Sequence, residues 1–383
     1  MHFASDNQAG IHPLIMEAIY QESLRAAPAY GNDATTAAAV EIFRSRFECD
    51  CDVYFVGTGT AANVLALSSI CPPYGAVLCH QEAHIRNDES TAPEFFTGGA
   101  RLLSVPGRGA KPALNALEAA YVTATQRGVH SVQPAVLSLT NATELGTVYT
   151  PTELAQYARW AHGKGLRLHV DGARFANACA SVGASFAEMS WQAGVDLLTL
   201  GATKNGAMAA EAIVVFDSVK SDALPFLRKR AGHLWSKYRF LSAQFEAWLA
   251  DDLWHTLALH ANEQAAALAR GFEHNGLALL PFPTEANEVF AALPGPVIGL
   301  LLERGVQFYR WPGWACNAAD LALLADGPLA HYLDCCSKRD NTTPEDPLEH
   351  LELVRFVTAF NTEPQTVSEL LHAVNAAYEA LAP

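Results

Sequence analysis

Through residues 50–217, short apolar runs recur, and each stops in a polar or glycine-rich cluster. Asp52–Val56 flows into GTGTAANVLALSSI, and Ala76–His80 and Arg101–Val105 follow. Ala135–Leu139 ends in TNATELG, Leu166–Val170 in Asp171-Gly172-Ala173-Arg174, and Val195–Leu200 in GATKNG, before Glu211–Phe216 closes the series. Runs of this length with turn signals at their ends predict buried strands, and the stretches between them have helical length. Strands that alternate with helices in this way predict an α/β domain built on a mostly parallel sheet.

The helical stretches carry their own punctuation. Pro13–Ala27 opens with proline at an early helical position, where its missing N–H costs little. Ala37–Phe47 and Pro112–Arg127 are amphipathic, and a helix from Thr150-Pro151 places Glu153 in its first turn and stops at Lys164-Gly165. A further helix is expected around Ser185–Ala193. After Leu224 the character changes: RKRAGHLWSKYRF and the alanine-rich stretch through Ala269 predict long helices with few breakers. Asn287–Leu293, Pro296–Glu303, Val354–Phe360 and Thr366–Leu381 then read as strand, helix, strand and helix. The expected division is a large α/β domain with an N-terminal arm over 1–247 and a smaller α+β domain over 248–383. The segment Trp311–His350 is rich in Pro, Asp, Cys and Asn, with one helical stretch at Leu321–Leu333, and reads as an inserted loop or flap.

Composition narrows the partners. With 383 residues, 50% hydrophobic and 17% charged, the chain has the make-up of a soluble globular enzyme. A net charge of −15 argues against nucleic acid, which requires clustered Lys and Arg. No apolar run is long enough to span a bilayer. The eight cysteines are scattered, and no basic, apolar leader precedes them, so reduced thiols in a cytoplasmic protein are expected.

In open sheets of this kind, ligands collect outside the carboxyl ends of the strands. Asp171, Arg174 and Lys204 therefore meet at one rim. A lysine in a small-residue turn at a strand end has the setting of a nucleophilic amine. An acid on the adjacent strand can hold a protonated pyridine nitrogen. The GTGT turn opens a helix whose amides suit a phosphate, and His84, in the polar loop QEAHIRNDESTAPEFF, can cover a ring face. Each has a plainer alternative: a structural Asp171–Arg174 ion pair, a ligand-free βα turn, a solvated loop histidine. A metal site from His80 and His84, and a non-enzymatic phosphate-binding module, are further alternatives.

The order SDN, YGND, GTGTAAN, EAH, TNATELGT, HVDGARFANA, LGATKNG and RFVTAF resembles the L-threonine aldolases, including their phenylserine aldolase branch. These are fold-type-I pyridoxal-phosphate enzymes. The match runs over most of residues 3–310 and the C-terminal strand; it is specific in HVDGARFANA and GATKNGAMAAEAI and looser towards the C-terminus. The resemblance implies that Lys204 carries pyridoxal 5′-phosphate as a Schiff base, that Asp171 binds the pyridine nitrogen and that His84 stacks on the ring. It also implies that Gly59, Thr60 and Ala61 hold the phosphate. Arg174 and Ser5 match positions that meet the cofactor's phenolic oxygen or the substrate carboxylate, and Arg355 matches the main carboxylate-binding arginine. Tyr30, Arg230 and Lys237 match positions that reach a site across a subunit boundary, which implies a homodimer or homotetramer with shared active sites. In several aldolases a histidine in the loop after the Ala135–Leu139 strand faces the substrate hydroxyl. Here the loop reads Asn141-Ala142-Thr143-Glu144, so Thr143 or Glu144 takes that place. The implied reaction is reversible retro-aldol cleavage of a β-hydroxy-α-amino acid to glycine and an aldehyde, and no metal ligand is assigned. The alternative on the same scaffold is a β-eliminating lyase or transaminase.

Overall fold

The computed structural model describes residues 1–216, 219, 222–316, 320, 323–339 and 351–381. They fall into two compact units, Gly10–Thr256 and Met1–Ala9 with Leu257–Pro383.

The larger unit is built on a seven-stranded sheet. Its strands are β1 (Cys51–Val56), β2 (Gly75–His80), β3 (Arg101–Val105), β4 (Gln133–Thr140), β5 (Arg167–Gly172), β6 (Leu197–Gly201) and β7 (Glu211–Phe216). They lie in the order β1-β7-β6-β5-β4-β2-β3. The pairs β2/β3, β2/β4, β4/β5 and β5/β6 are parallel, whereas β7 runs antiparallel to both β1 and β6. The mostly parallel sheet expected from the run spacing is what the chain forms, with β7 as its antiparallel member.

Helices α1 (Pro13–Ser23), α2 (Ala34–Phe47), α3 (Gly59–Ile70), α6 (Leu114–Thr125) and α7 (Pro151–Gly163) correspond to the punctuated stretches. Thr150 and Glu153 form a reciprocal capping box at the start of α7. Helix α3 is apolar from Ala61 to Leu67 save for Asn63, and every residue of that stretch is buried, as expected of a helix enclosed on all sides. Its residues Ala61, Ala62, Val64, Leu65 and Ala66 share one core with Val56, Leu197, Ile213 and Val215 of the sheet. On the other side of β1, Phe43, Phe47, Phe55, Phe186, Phe216, Phe245 and Trp248 form a continuous aromatic cluster.

Three local expectations differ. The helix after β5 is α8, Phe175–Val182, and Ser185–Ala193 contains only a 3-10 turn at Trp191–Ala193. Gly183 at φ 68° and Gly194 at φ 92° bracket that segment in the left-handed region and break the helical path. The polar stretch after β2 holds two short helices, α4 (His84–Asn87) and α5 (Ala92–Thr97). The long helices after Leu224 are interrupted: α9 (Leu224–Arg230), α10 (Arg239–Leu249) and α11 (Leu253–His274) are separate. The first break carries Gly232 at φ 80° and Asp251 at φ 48° marks the second. Tyr238 closes the first break by bonding both the N–H and the carbonyl of Phe55.

In the smaller unit, β8 (Glu288–Pro294), β10 (Leu351–Val357) and β9 (Tyr309–Arg310) form an antiparallel sheet in the order β8-β10-β9. Helices α12 (Gly295–Glu303), α13 (Pro328–Arg339) and α14 (Pro364–Leu381) complete it. Phe3 ties the first residues here: its N–H donates to Gln307, its carbonyl accepts from Val357, and its ring meets Phe356 edge-on. Of the Trp311–His350 segment, 317–319, 321–322 and 340–350 lie outside the described residues, and with them the first two positions of the helix expected at Leu321–Leu333; the described helix begins at Pro328. Among the described residues no helix is long and apolar enough to cross a membrane.

Candidate active site

Strands β5 and β6 end side by side, with Gly172 paired to Leu200. Beyond β6 the chain passes through a single 3-10 turn, Thr203–Asn205, and leaves it at Gly206, φ 95°. Trp248 pins this turn by donating from Nε1 to Asn205 Oδ1 at 2.7 Å. Lys204 is thereby held half-buried at the rim beside the end of β5.

Asp171, one residue before the end of β5, is 4% exposed. Its Oδ1 accepts from the Ala173 N–H at 3.0 Å and its Oδ2 from Asn63 Nδ2 at 2.7 Å. The Asn63 amide has a second hydrogen, which goes to Glu89 Oε1 at 2.9 Å, while its Oδ1 accepts from Thr199 Oγ1 at 2.8 Å. One side chain from α3 thus clamps two buried carboxylates. Glu89 in turn bonds His84 Nδ1 at 2.9 Å. The ligand atoms of His84, Glu89 and Asp171 all lie within 4.8 Å of one another.

Burial pulls the His84 imidazole towards neutrality, but the hydrogen bond to Glu89 and the charges of Asp171 and Glu89 outweigh it, so its pKa is raised. Burial also raises Glu89, against the bonds from His84 and Asn63. Glu144 reaches the same corner: its Oε1 accepts from the His84 backbone N–H at 2.8 Å and from Thr140 Oγ1 at 2.7 Å. Burial pushes Glu144 up to about 7.

The GTGT turn lies across β7. Thr58 caps α3 by accepting from the Ala61 N–H at 3.2 Å, so that amide is already engaged. The amides of Gly59 and Thr60 sit in the first turn, where no intrahelical acceptor exists. The space before them is open: a Cβ on Gly59 would meet nothing nearer than Glu211 Oε2 at 4.0 Å. Behind the turn, a Cβ on Gly57 would lie 2.5 Å from the Trp235 indole, which only glycine accommodates. Arg174, three residues past Asp171, is 9% exposed at the start of α8.

The other expected site residues are spread over both units. Thr143 is fully buried, and its hydroxyl is occupied by Thr147 at 2.9 Å and the Gly109 carbonyl at 3.2 Å, so it serves the interior of its own loop. Tyr30, Arg230 and Lys237 are exposed, with the Lys229 ammonium 5.0 Å over the Tyr30 ring. In the smaller unit, Ser5 Oγ accepts from the Asn7 N–H at 3.2 Å. Arg355 there donates to Glu288 Oε1 at 3.1 Å, with its guanidinium 5.2 Å from the Trp311 ring centroid. Both nitrogens of His80 are engaged, one with the Gly107 carbonyl and one with the Glu82 N–H, so the His80–His84 pairing does not form.

Asn63, Glu89 and Glu211 were absent from the sequence-based candidates. Asn63 had a readable signal, a lone amide inside the apolar stretch Ala61–Leu67, and Glu211 another, an acid at the head of an otherwise apolar strand. Glu89 lay among several equally polar loop residues.

The beta-eliminating lyase family model matches residues 2–294. A low specificity L-threonine aldolase of Pseudomonas aeruginosa is 44% identical over 311 residues, covering 81% of this chain and 89% of that protein. The low specificity L-threonine aldolase of Saccharomyces cerevisiae is 25% identical over 77% of this chain and 75% of its own. A Leishmania major threonine aldolase structure superposes with a TM-score of 0.84 at 26% identity, covering 98% of this chain and 99% of that one. A Sphingomonas wittichii serine palmitoyltransferase, 13% identical with a TM-score of 0.67 over 100% of this chain and 88% of its own, shares the fold.

Proposed function

Because the chain belongs to the beta-eliminating lyase family, and within it to the L-threonine aldolases, we propose that it cleaves L-threonine, L-allo-threonine or related β-hydroxy-α-amino acids, phenylserine among them, reversibly to glycine and an aldehyde. The observation that carries the proposal is the pairing of strand ends that sets buried Asp171 beside the Lys204 turn.

Enzymes of this family are carbon–carbon lyases that depend on pyridoxal 5′-phosphate, which when bound supplies a sink for the electrons left at Cα. The residues present fit that group. Lys204 offers an amine at the rim, Asp171 a buried carboxylate for the pyridine nitrogen, and the open α3 terminus at Gly59 and Thr60 a seat for phosphate. His84 lines the same corner and is assigned the ring face, and Arg174 the phenolic oxygen or the substrate carboxylate. By the resemblance, Arg355 and Ser5 bind the carboxylate, which fixes the Cα–Cβ bond for cleavage.

The β-hydroxyl must lose a proton as that bond breaks. His84 is the group we assign to accept it. Its Nδ1 is directed at Glu89, so Nε2 is the atom that takes the proton, and Glu89 stabilises the imidazolium that results. Glu144, bonded to the His84 backbone, sets the position of the ring, and Thr143 is left in a loop-structural role. Exposed Tyr30, Arg230 and Lys237, with an apolar surface on α1 at Leu14, Met16 and Tyr20 and at Leu24 just beyond it, support a homodimer or homotetramer whose subunits share active sites. The eight cysteines, none of them in a disulfide, support a cytoplasmic location.

Incubation with L-threonine, L-allo-threonine and phenylserine tests the reading. Glycine with an equal amount of aldehyde is expected; pyruvate or amino-group exchange would mark the β-eliminating or transaminase alternative instead.

A further inference from the structure

Glu211 has no part in the chemistry above, yet it stands where the two halves of the cofactor seat meet. As the first residue of β7 it is paired on one side with Gly201, which leads to the lysine turn, and on the other with Val56, which leads to the GTGT turn. Its side chain is buried. Oε2 lies 2.7 Å from where a Cβ on Gly201 would be and 4.0 Å from where one on Gly59 would be. The carboxyl therefore packs against Gly201 and is the side-chain group nearest the Gly59 position at the open start of α3. The groups that face it are the Thr203 hydroxyl and N–H, Lys204, and Asp171 across β6.

We propose that Glu211 is a binding residue for the cofactor phosphate that acts in its neutral, protonated form, donating where an ionised carboxylate would repel. The proposal rests on the pyridoxal-phosphate reading of the site. Physical chemistry favours this form: a carboxylate beside a phosphate dianion, both in a low-dielectric pocket, cannot keep both charges cheaply. Burial already pushes Glu211 up to about 7, against the bonds from Thr203 and the charge of Lys204, so the protein supplies the neutral form near neutrality. Seating the phosphate is then coupled to a proton held on Glu211, and ionisation of this acid weakens the seat.

Pyridoxine 5′-phosphate isolates the effect, because it lacks the aldehyde and makes no bond to Lys204. Its dissociation constant is measured on the full-length apoprotein and on Glu211→Gln, which keeps the shape and a donor, from about pH 6 to about pH 8.5. The ratio of the two constants cancels the phosphate's own titration. We expect wild type to weaken relative to the variant by at least about tenfold across that range. A ratio flat to within about twofold overturns the proposal while leaving the cofactor reading intact; failure of both proteins to bind overturns the cofactor reading itself. Thr203→Val gives a second arm: it removes a donor that favours the charged form, so the pH at which binding weakens moves up. A break point that stays in place likewise contradicts the role given to Glu211.

Discussion

Asn63 Nδ2 lies 2.7 Å from Asp171 Oδ2, a hydrogen bond from inside an apolar helix to a carboxylate buried at a strand end. Because the same amide also holds Glu89, the group assigned to the pyridine nitrogen and the partner of His84 are fixed by one side chain. Asn63→Leu removes both donors while roughly keeping volume. Leaving a buried carboxylate without its partner costs about 1–3 kcal/mol, so glycine release is expected to drop about ten- to hundredfold. Steady-state assays with a parallel melting curve check it, and unchanged turnover would show that the clamp has no catalytic consequence.

Glu89→Gln tests whether His84 is the base. The Glu89 bond and charge are among the causes that raise His84, against burial. With a neutral amide there, the imidazole loses its proton at lower pH. The acid limb of kcat/KM is therefore expected to move to lower pH, with a fall in the plateau as the imidazolium loses its partner. A limb that does not move would assign the proton to another group.

Glu144 makes a prediction about stability. Its pKa in the folded chain is about 7, against an ordinary value of 4.5, through burial. A carboxyl raised by folding leaves the native state unpenalised below pH 4.5 and costs stability as pH climbs through about 7. Glu144→Gln should therefore unfold at higher denaturant concentration than wild type in mildly alkaline buffer, and at a similar one in acid. Urea curves at both ends of the range measure the difference, and a gain confined to acid pH would contradict the sign.

Gly172 follows Asp171 at the end of β5, paired with Leu200 of β6. A Cβ there would lie 2.6 Å from the Thr199 carbonyl oxygen and 2.9 Å from Phe175 Cβ, so backbone must move. Gly172→Ala is expected to destabilise by about 1–3 kcal/mol and to weaken cofactor retention by displacing Asp171. Thermal melts and cofactor absorbance after desalting provide the check.

Most of the sheet was legible because its strands are short apolar runs with clear stops, and the placement of Asp171 and Lys204 at neighbouring strand ends was legible from those same stops. Helices bounded by capping chemistry, such as α7 with Thr150 and Glu153, were equally readable. What escaped were effects of tertiary packing. Ser185–Ala193 has helical composition, but two left-handed glycines and the burial of Phe186 among aromatic rings override it. The break between α9 and α10 follows from Tyr238 docking on Phe55, a partner 183 residues away. Thr143 and Glu144 are sequence neighbours with equal claims on the substrate, yet one points into its own loop and the other to His84. Only the fold separates them.

The central claim is that Lys204 carries pyridoxal phosphate at the end of β6. Borohydride reduction of the purified holoenzyme, followed by peptide mass spectrometry, tests it most directly. A phosphopyridoxyl group on the peptide containing Lys204 is predicted, together with loss of both that adduct and glycine release in Lys204→Ala. An adduct on another lysine, or a Lys204→Ala protein that still releases glycine, would contradict the account.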